Sequence, residues 1–291
     1  MNIILTGATG YVGKNLISAF INFTDHNLYA ITRSTSDLPK EVVILKDDSK
    51  LEENIFLAKP DIVIHLASYL TSKSEIEDID KLISSNITFG TRLLNALKNT
   101  NLKHFINIGS FSEYHFNDGV LNPTYLYSAT KSGFRSILKY YSEVYEFKVV
   151  HVIPYSIYGG VDRQKKIMDI LFEALDAKES VKMSDGFQNL DFIHINDVVD
   201  FFIQLTNIIS VVGNEEFYLG TGKAYNLRQV AFMIEQITGK KINADWGAYP
   251  PRDRDTYFAC AAIGKLKQIL NWEPKITIEA GLKLKYKGID I

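Results

Sequence analysis

The chain opens on a short apolar run, Ile3-Ile4-Leu5, which passes directly into Thr6-Gly7-Ala8-Thr9-Gly10-Tyr11-Val12-Gly13 and then into a helix-like segment reaching about Phe20. A strand, a glycine turn and a helix in that order restrict the possible folds more than any other stretch. Such a turn brings backbone N–H groups to a helix N-terminus, where aligned peptide dipoles favour an anion, and glycine lets a pyrophosphate approach without meeting a Cβ. Thr6, Gly7, Thr9, Gly10, Tyr11, Val12 and Gly13 are therefore candidate binding positions. The spacing Gly7, Gly10, Gly13 departs from the G-x-G-x-x-G dinucleotide fingerprint, and many βα turns hold glycines for backbone reasons alone, so the rest of the chain must decide.

Further strands are expected at residues 28–31, 42–45, 61–66 and 104–108, each a short β-branched run rather than an alternating one. Runs of that kind suit strands buried on both faces. Helical spacing separates them, most clearly over residues 81–98, where Leu82, Ile83, Ile87, Leu93, Leu94 and Leu97 recur. The alternation predicts an α/β fold with a doubly wound parallel sheet of the Rossmann type. A helix is expected over residues 127–146 and a strand over 148–153; beyond Pro154 the regularity breaks at Gly159-Gly160, a helix follows at 166–177, and Gly and Pro return at 247–252. We expect residues 1–155 to form the nucleotide-binding domain, with segments near 190–222 returning to it, and residues 156–291 to form mainly a smaller substrate-binding lobe.

Composition narrows the function classes. A formal net charge of −2 without any dense Lys/Arg block leaves no electrostatic footprint for nucleic acid or an anionic membrane. Cys260 is the only cysteine, so no intrachain disulfide is possible, and the N-terminal apolar run is too short for a signal peptide. No stretch approaches the roughly 20 apolar residues of a membrane span. The expectation is a cytoplasmic enzyme. The six histidines include no pair at i, i+3 or i, i+4, which gives a metal site no support.

In a doubly wound sheet the ligand sits beyond the C-terminal strand ends, where the strand order reverses. NAD-selective sites commonly place Asp or Glu at the end of the second strand to hold the ribose 2′-hydroxyl. Here that end reads Thr32-Arg33-Ser34, with no acid before Asp37. Arg33, with Ser34 beside it, suits a 2′-phosphate and favours NADPH over NADH; the competing account is a solvated loop arginine. Asp47 or Asp48, after the third strand, could accept from an adenine amino group, with an ordinary surface carboxylate as the alternative.

Tyr127-Ser128-Ala129-Thr130-Lys131 places a phenol and an ammonium four residues apart, on one helix face. A nearby cation stabilises a phenolate and brings tyrosine, with its ordinary pKa of about 10, into range as an acid or base. A second such pair, Tyr69 and Lys73, shows how cheaply the spacing arises. Context separates them. Tyr127 opens a helix shortly after the fifth strand, whose end offers Ser110, whereas Tyr69 lies in a loop with no hydroxyl partner; Tyr69 and Lys73 are read as the decoy.

Taken together, the glycine turn, His65-Leu66-Ala67-Ser68, Asn86 with Gly90-Thr91, Ser110, and Tyr127 with Lys131 resemble the extended short-chain dehydrogenase/reductase family, in the branch that modifies nucleotide-activated sugars. Asp191-Phe192-Ile193-His194-Ile195-Asn196-Asp197-Val198 is similar to that family's segment bordering the site, and Arg252 with Asn271-Trp272-Glu273-Pro274 to its C-terminal signature. The resemblance implies that Ser110 hydrogen-bonds the reacting oxygen, that Tyr127 exchanges the proton, and that Lys131 holds the nicotinamide ribose while tuning Tyr127. It also implies cofactor contacts from Leu66, Ala67, Ser68, Asn86 and Tyr155, and contacts from Ser110, Phe111, Ser112 and Arg252 to a nucleotide-diphosphate sugar, Arg252 gripping the diphosphate. Hydride then passes between the cofactor and a sugar carbon, usually C4. Two hydroxyl donors converging on one oxygen would stabilise the charge developing there; the blander role for Ser110 is to end its strand.

Departures from the family pattern select among reactions. Nucleotide-sugar 4,6-dehydratases carry Asp-Glu directly after the Ser/Thr, where this chain has Phe111-Ser112 and Glu113 only afterwards. Epimerases similar to the galactose enzyme show the acid after the second strand that Arg33 and its neighbours replace. What remains is net reduction of an NDP-4-keto-6-deoxy sugar by NADPH, and residues 106–111 with Pro251-Arg252-Asp253 resemble reductases of the CDP-abequose synthase type. Leu190 stands where relatives commonly have Arg, and Pro154-Tyr155-Ser156 replaces their Arg-x-x-Asn, which leaves the base of the nucleotide open. The alternatives are an NAD-dependent NDP-sugar 4-epimerase and, more distantly, a non-enzymatic NADPH-binding module, against which the retained Ser110, Tyr127 and Lys131 weigh. By analogy, the helices at 81–98 and 127–146 would pair two copies into a homodimer.

Overall fold

The structure is a computed structural model and describes residues 1–33, 38–162, 164–250 and 254–288. Its first half runs β1 (Asn2–Thr6), α1 (Tyr11–Phe23), β2 (Asn27–Thr32), β3 (Val42–Lys46), α2 (Leu51–Ala58), β4 (Ile62–His65) and α3 (Ile76–Ile83). A π turn (Ser84–Thr88) leads into α4 (Phe89–Leu97), followed by β5 (His104–Ile108), a 3₁₀ turn (Phe111–Glu113), α5 (Leu126–Tyr145) and β6 (Lys148–Pro154). The chain continues through β7 (Ser156–Tyr158), α6 (Ile167–Glu173), β8 (Val181–Met183), β9 (Asn189–His194), α7 (Ile195–Ile208) and β10 (Glu215–Leu219). It ends with β11 (Ala224–Asn226), α8 (Leu227–Thr238), β12 (Ala244–Trp246), β13 (Phe258–Ala259), α9 (Gly264–Leu270) and α10 (Ile278–Lys287).

Seven parallel strands form the main sheet in the order β3-β2-β1-β4-β5-β6-β10. The unbroken apolar runs are explained by burial on both sides. Ile3 and Leu5 face one core with Ile62 and Ile64, while Ile4 faces the other with Val63 and Phe105. Because strand side chains alternate between faces, a strand covered twice needs apolar residues at every position. Leu16, Ile17 and Phe20 of α1, Phe201, Phe202 and Leu205 of α7, and Leu266 of α9 fill the first core. Ile55 of α2, Leu93 and Leu94 of α4, and Phe134 and Leu138 of α5 fill the second. Each such fully buried side chain contributes roughly 1.5–3 kcal/mol.

The chain leaves β1 toward β2 and β3, then returns to lay β4 on the other side of β1. Connections on either side of that reversal diverge and open a crevice at the C-terminal strand ends. A third core joins Met168 and Leu171 of α6, Phe192 of β9, Val230 and Ile234 of α8 and Leu282 of α10 beside the small sheet β11-β9-β13, to which β7 also pairs. Among the described residues no helix is long and apolar enough to cross a membrane, and no group of three or more His, Cys, Asp and Glu is placed to hold a metal ion.

Two elements differ from the sequence expectation. The helix expected at 81–98 begins at Ile76 and is interrupted by the π turn, whose wider i→i+5 spacing carries Asn86 to the interior, where it is 2% exposed. The helix expected at 166–177 closes at Glu173, and Leu175 and Asp176 continue only as turns, donating to the carbonyls of Phe172 and Glu173.

Candidate active site

The glycine turn closes on itself through the Gly10 N–H, which donates to the Gly7 carbonyl at 3.0 Å. Gly10 caps α1 with no side-chain hydrogen bond, and no acid stands in the first helical turn. The first N–H groups of α1 are thus open to an anion. Gly7 has φ +68°, and a Cβ there would lie 2.7 Å from the Ala67 nitrogen and 2.8 Å from the Leu66 carbonyl carbon. Only glycine lets β1 and the loop after β4 approach this closely. Gly7→Ala is expected to cost about 2–4 kcal/mol, the sum of left-handed strain and displacement of the β4 loop, read as a lowered denaturant midpoint. An unchanged midpoint would show the loop to be compliant.

Beyond the turn lies a cleft of about 340 Å³. Gly7, Thr9 and Gly10 form its floor, and Ala67 and Ser68 line it from β4. At the far end Arg33 extends from β2, Asp47 from β3 and Arg92 from α4, with Arg92 Nη2 3.2 Å from Asp47 Oδ1. Asp48, the other carboxylate considered, accepts from the Lys50 N–H and does not line the cleft. The cradle a Cβ would fill, the uncapped helix and the arginine-flanked end together fit a dinucleotide, since the open N–H groups of α1 could hold a pyrophosphate and Arg33, Asp47 and Arg92 offer polar partners at the far end.

Tyr127 and Lys131 stand beside this cleft on α5. The first turn of α5 is fixed by the Ser128 hydroxyl, which accepts from the Tyr125 N–H and donates to its carbonyl. The Ser68 hydroxyl, on the cleft wall, hydrogen-bonds the Tyr127 phenol and reaches Asn86 Oδ1 at 3.3 Å. Lys131 Nζ donates to the Ile108 carbonyl at 3.0 Å, where β5 ends. Both side chains are buried, Tyr127 7% and Lys131 4% exposed. Burial drives the phenol well above its ordinary value, with the Ser68 hydrogen bond acting the other way. Burial also lowers the Lys131 ammonium to about 8, opposed chiefly by the Glu113 carboxylate. The expected sharpening of the phenol by its ammonium is therefore not among the effects that act here: desolvation of the phenolate leads and raises the phenol, so Tyr127 is protonated at neutral pH.

The remaining expected positions divide by burial. Thr6 is fully buried; its Oγ1 accepts from the Ala67 N–H and pairs with His65 Nδ1 at 2.8 Å. His65 is held neutral, lowered to about 3 by burial and then by the Lys131 charge. Tyr11 donates its hydroxyl to the Gly159 carbonyl at 2.5 Å, Val12 and Gly13 lie within α1, and Leu66 packs on the first core. Asn86, expected at the cofactor, accepts from the Tyr69 N–H and donates to the Tyr69 carbonyl and to Thr130 Oγ1. It ties the β4 loop to α5 from behind the cleft. Tyr155, also expected there, is 5% exposed, stacks on Phe111 at 5.6 Å and donates to Asn117 Oδ1. Ser110 is half-buried at the end of β5, and Ser112, expected to meet substrate, is 1% exposed behind it, their hydroxyls 2.8 Å apart. Ser34 and Arg252 lie outside the described residues. In the second tyrosine–lysine pair, Tyr69 donates to Asp78 Oδ1 at 2.9 Å and Lys73 is exposed.

Residues that sequence reasoning passed over also line the cleft. Ser84, Ser85, Thr88 and Arg92 come from the π turn and α4. The available signal was the i, i+4 spacing of Thr88 and Arg92, which puts both on one helix face just past Asn86.

The chain is 28% identical over 255 residues to a CDP-abequose synthase of Yersinia pseudotuberculosis, covering 86% of this chain and 89% of that one. It is 29% identical over 230 residues to a UDP-glucuronate 4-epimerase of Thermodesulfobacterium geofontis, covering 76% of this chain and 70% of the other. Its fold is similar to a UDP-glucuronic acid 4-epimerase from Bacillus cereus solved in complex with UDP-glucuronic acid and NAD, with a TM-score of 0.88, 22% identity and 99% of both chains covered. The model of one family matches residues 3–220. An α1 N-terminus left open at a glycine turn, a doubly wound parallel sheet and that match over most of its length lead to one conclusion: the chain belongs to the NAD dependent epimerase/dehydratase family.

Proposed function

We propose that this enzyme reduces the C4 ketone of a nucleotide-diphospho-4-keto-6-deoxy sugar, with NADPH as its cofactor. The observation that carries the reading is the far end of the cleft, where Arg33 and Arg92 flank Asp47 and β2 ends at Thr32 without a carboxylate. Two guanidinium groups suit a 2′-phosphate and compensate its charge. The bound nicotinamide supplies the hydride. Tyr127 donates the phenolic proton to the sugar O4, Ser110 hydrogen-bonds the same oxygen, and Lys131 supports the phenolate left behind. The protonated state of Tyr127 is the one a reduction requires. A homodimer through α3, α4 and α5 belongs to the same proposal, supported by the exposure of Ile76 and Ile83 on α3 and of Tyr140 and Val144 on α5.

A second reading, NAD-dependent 4-epimerisation of an NDP-sugar, draws support at least as strong from the relatives and from the solved structures of similar fold, which include several UDP-sugar 4-epimerases. The two differ in net redox change. NADPH oxidation at 340 nm with a panel of 4-keto-6-deoxy sugar nucleotides supports reduction. No turnover with any of them, together with inversion of a UDP-sugar at C4 without added cofactor, supports epimerisation. In the same assay Arg33→Ala and Arg92→Ala are each expected to lower kcat/KM for NADPH by roughly tenfold to hundredfold and to leave NADH within about threefold, the loss of one charge-assisted contact. Equal effects on both cofactors would remove the 2′-phosphate assignment.

A further inference from the structure

Glu113 is a carboxylate with no exposure, standing directly behind the reacting groups. Its Oε1 accepts from the Ser110 N–H at 2.8 Å and from Arg135 Nη2 at 3.3 Å, and its Oε2 accepts from Arg135 Nε at 2.8 Å and from the Ser132 hydroxyl at 3.1 Å. Arg135 is shared with Glu216 of β10, which also accepts from the Tyr114 hydroxyl at 2.8 Å. A network of this kind links the Ser110 turn, α5 and β10. The space for it is made at Gly109, where a Cβ would stand 2.5 Å from Glu113 Oε1 and 2.6 Å from Ile153 Cδ1.

We infer that Glu113, locked by Arg135, is a positioning residue for the reaction: it sets the Ser110 turn and supplies the counter-charge to Lys131. The first role follows from the capping arrangement of the turn. Glu113 holds the Ser110 N–H while the Ser110 side chain accepts from the Ser112 N–H at 3.3 Å, so the carboxylate fixes the backbone from which the Ser110 hydroxyl projects. The second follows from the backbone that the two side chains share: Lys131 Nζ donates to the Ile108 carbonyl and Glu113 Oε1 accepts from the Ser110 N–H two residues on, so ammonium and carboxylate grip one short segment. Arg135 and Tyr127 lie one turn away on α5 and His65 lies on β4, the last neutral; Glu113 is the negative charge felt there, and it opposes both Arg135 and burial. A carboxylate buried without water is retained only where its partners are complete, and each oxygen of Glu113 has two.

The inference rests on reading Ser110, Tyr127 and Lys131 as the reacting set, and two measurements separate the two claims. The first is the pH profile of kcat with NADPH and a substrate found in the panel. Glu113→Gln is expected to lower kcat by roughly tenfold or more with KM for NADPH held within about twofold, and to move the basic limb to lower pH, because Lys131 loses its proton sooner. The second needs no turnover: the 13Cε chemical shift of Lys131 in lysine-labelled protein, assigned with Lys131→Met, is expected to titrate at lower pH in Glu113→Gln. Should Glu113→Gln fail to fold, Arg135→Lys keeps the cation while giving up the double contact; it is expected to reduce kcat and leave the Lys131 titration in place. Unchanged kcat and an unmoved Lys131 titration in a folded Glu113→Gln protein would overturn the inference. A wild-type enzyme inactive on every sugar nucleotide, with the Lys131 titration still shifted by Glu113→Gln, would instead overturn the reading of the reacting set and retain the electrostatic coupling.

Discussion

Tyr127→Phe is expected to slow turnover by roughly a thousandfold while leaving the fold and dinucleotide binding intact. The substitution deletes one oxygen from a side chain that is 7% exposed, so packing is conserved and no cavity forms. The Ser68 hydroxyl loses the phenol but keeps Asn86 Oδ1, and Ser68 is exposed, so water takes the vacated place. Under the proposed reduction, what disappears is the proton. A ketone accepting hydride develops a full negative charge on oxygen, and a hydrogen bond from Ser110 stabilises that charge without neutralising it. The phenylalanine variant must draw its proton from solvent. Single-turnover NADPH oxidation measures the rate, quenching of protein fluorescence measures NADPH affinity, and a thermal melt checks the fold. Full turnover in Tyr127→Phe would remove Tyr127 as proton donor, whichever direction the enzyme runs. Ser110→Ala should fall short of this effect, at roughly tenfold to hundredfold, since it removes one of two donors.

The parts legible in the sequence are those set by local spacing. The glycine turn, the unbroken apolar strands and the helix bearing Tyr127 and Lys131 follow from residues close in the chain. Context also separated Tyr127 and Lys131 from Tyr69 and Lys73, because a helix start after a strand end is itself a local pattern. Tertiary pairing was not legible. Glu113 meets Arg135 across 22 residues and Asp47 meets Arg92 across 45, and nothing in either neighbourhood announces its partner. The π turn escaped for a related reason: one extra residue per turn leaves the apolar spacing of 81–98 close to helical while rotating Asn86 inward. The sign of the Tyr127 shift was missed because a neighbouring charge can be read from spacing, whereas desolvation depends on everything packed around the ring.

Lys131→Met is expected to make the protein more stable and nearly inactive. The Lys131 ammonium is 4% exposed and lowered from 10.5 to about 8, so the folded state holds its proton less tightly than the unfolded chain does. Below pH 8 both states carry the charge, and the folded state bears the full cost of burying it. As pH rises through 8 the folded lysine deprotonates while the unfolded one does not until about 10.5, and the cost fades across that window. Methionine fills the same volume without charge. It forfeits the hydrogen bond to the Ile108 carbonyl, worth about 1 kcal/mol, against a relieved penalty of roughly 3 kcal/mol, leaving a net gain on the order of 1–3 kcal/mol at pH 7. The gain should shrink steadily to pH 10, giving melting curves for the two proteins that converge as pH rises. A Met variant less stable than wild type at pH 7, by a margin constant with pH, would mean that Lys131 is not charged at a cost. Activity should fall by a factor of roughly a hundred to ten thousand, because the phenolate that the proposed reduction forms at Tyr127 loses its counter-ion. A residue whose removal strengthens the fold and silences the reaction is retained for its chemistry, and the penalty of its buried charge is the stability the active site gives up.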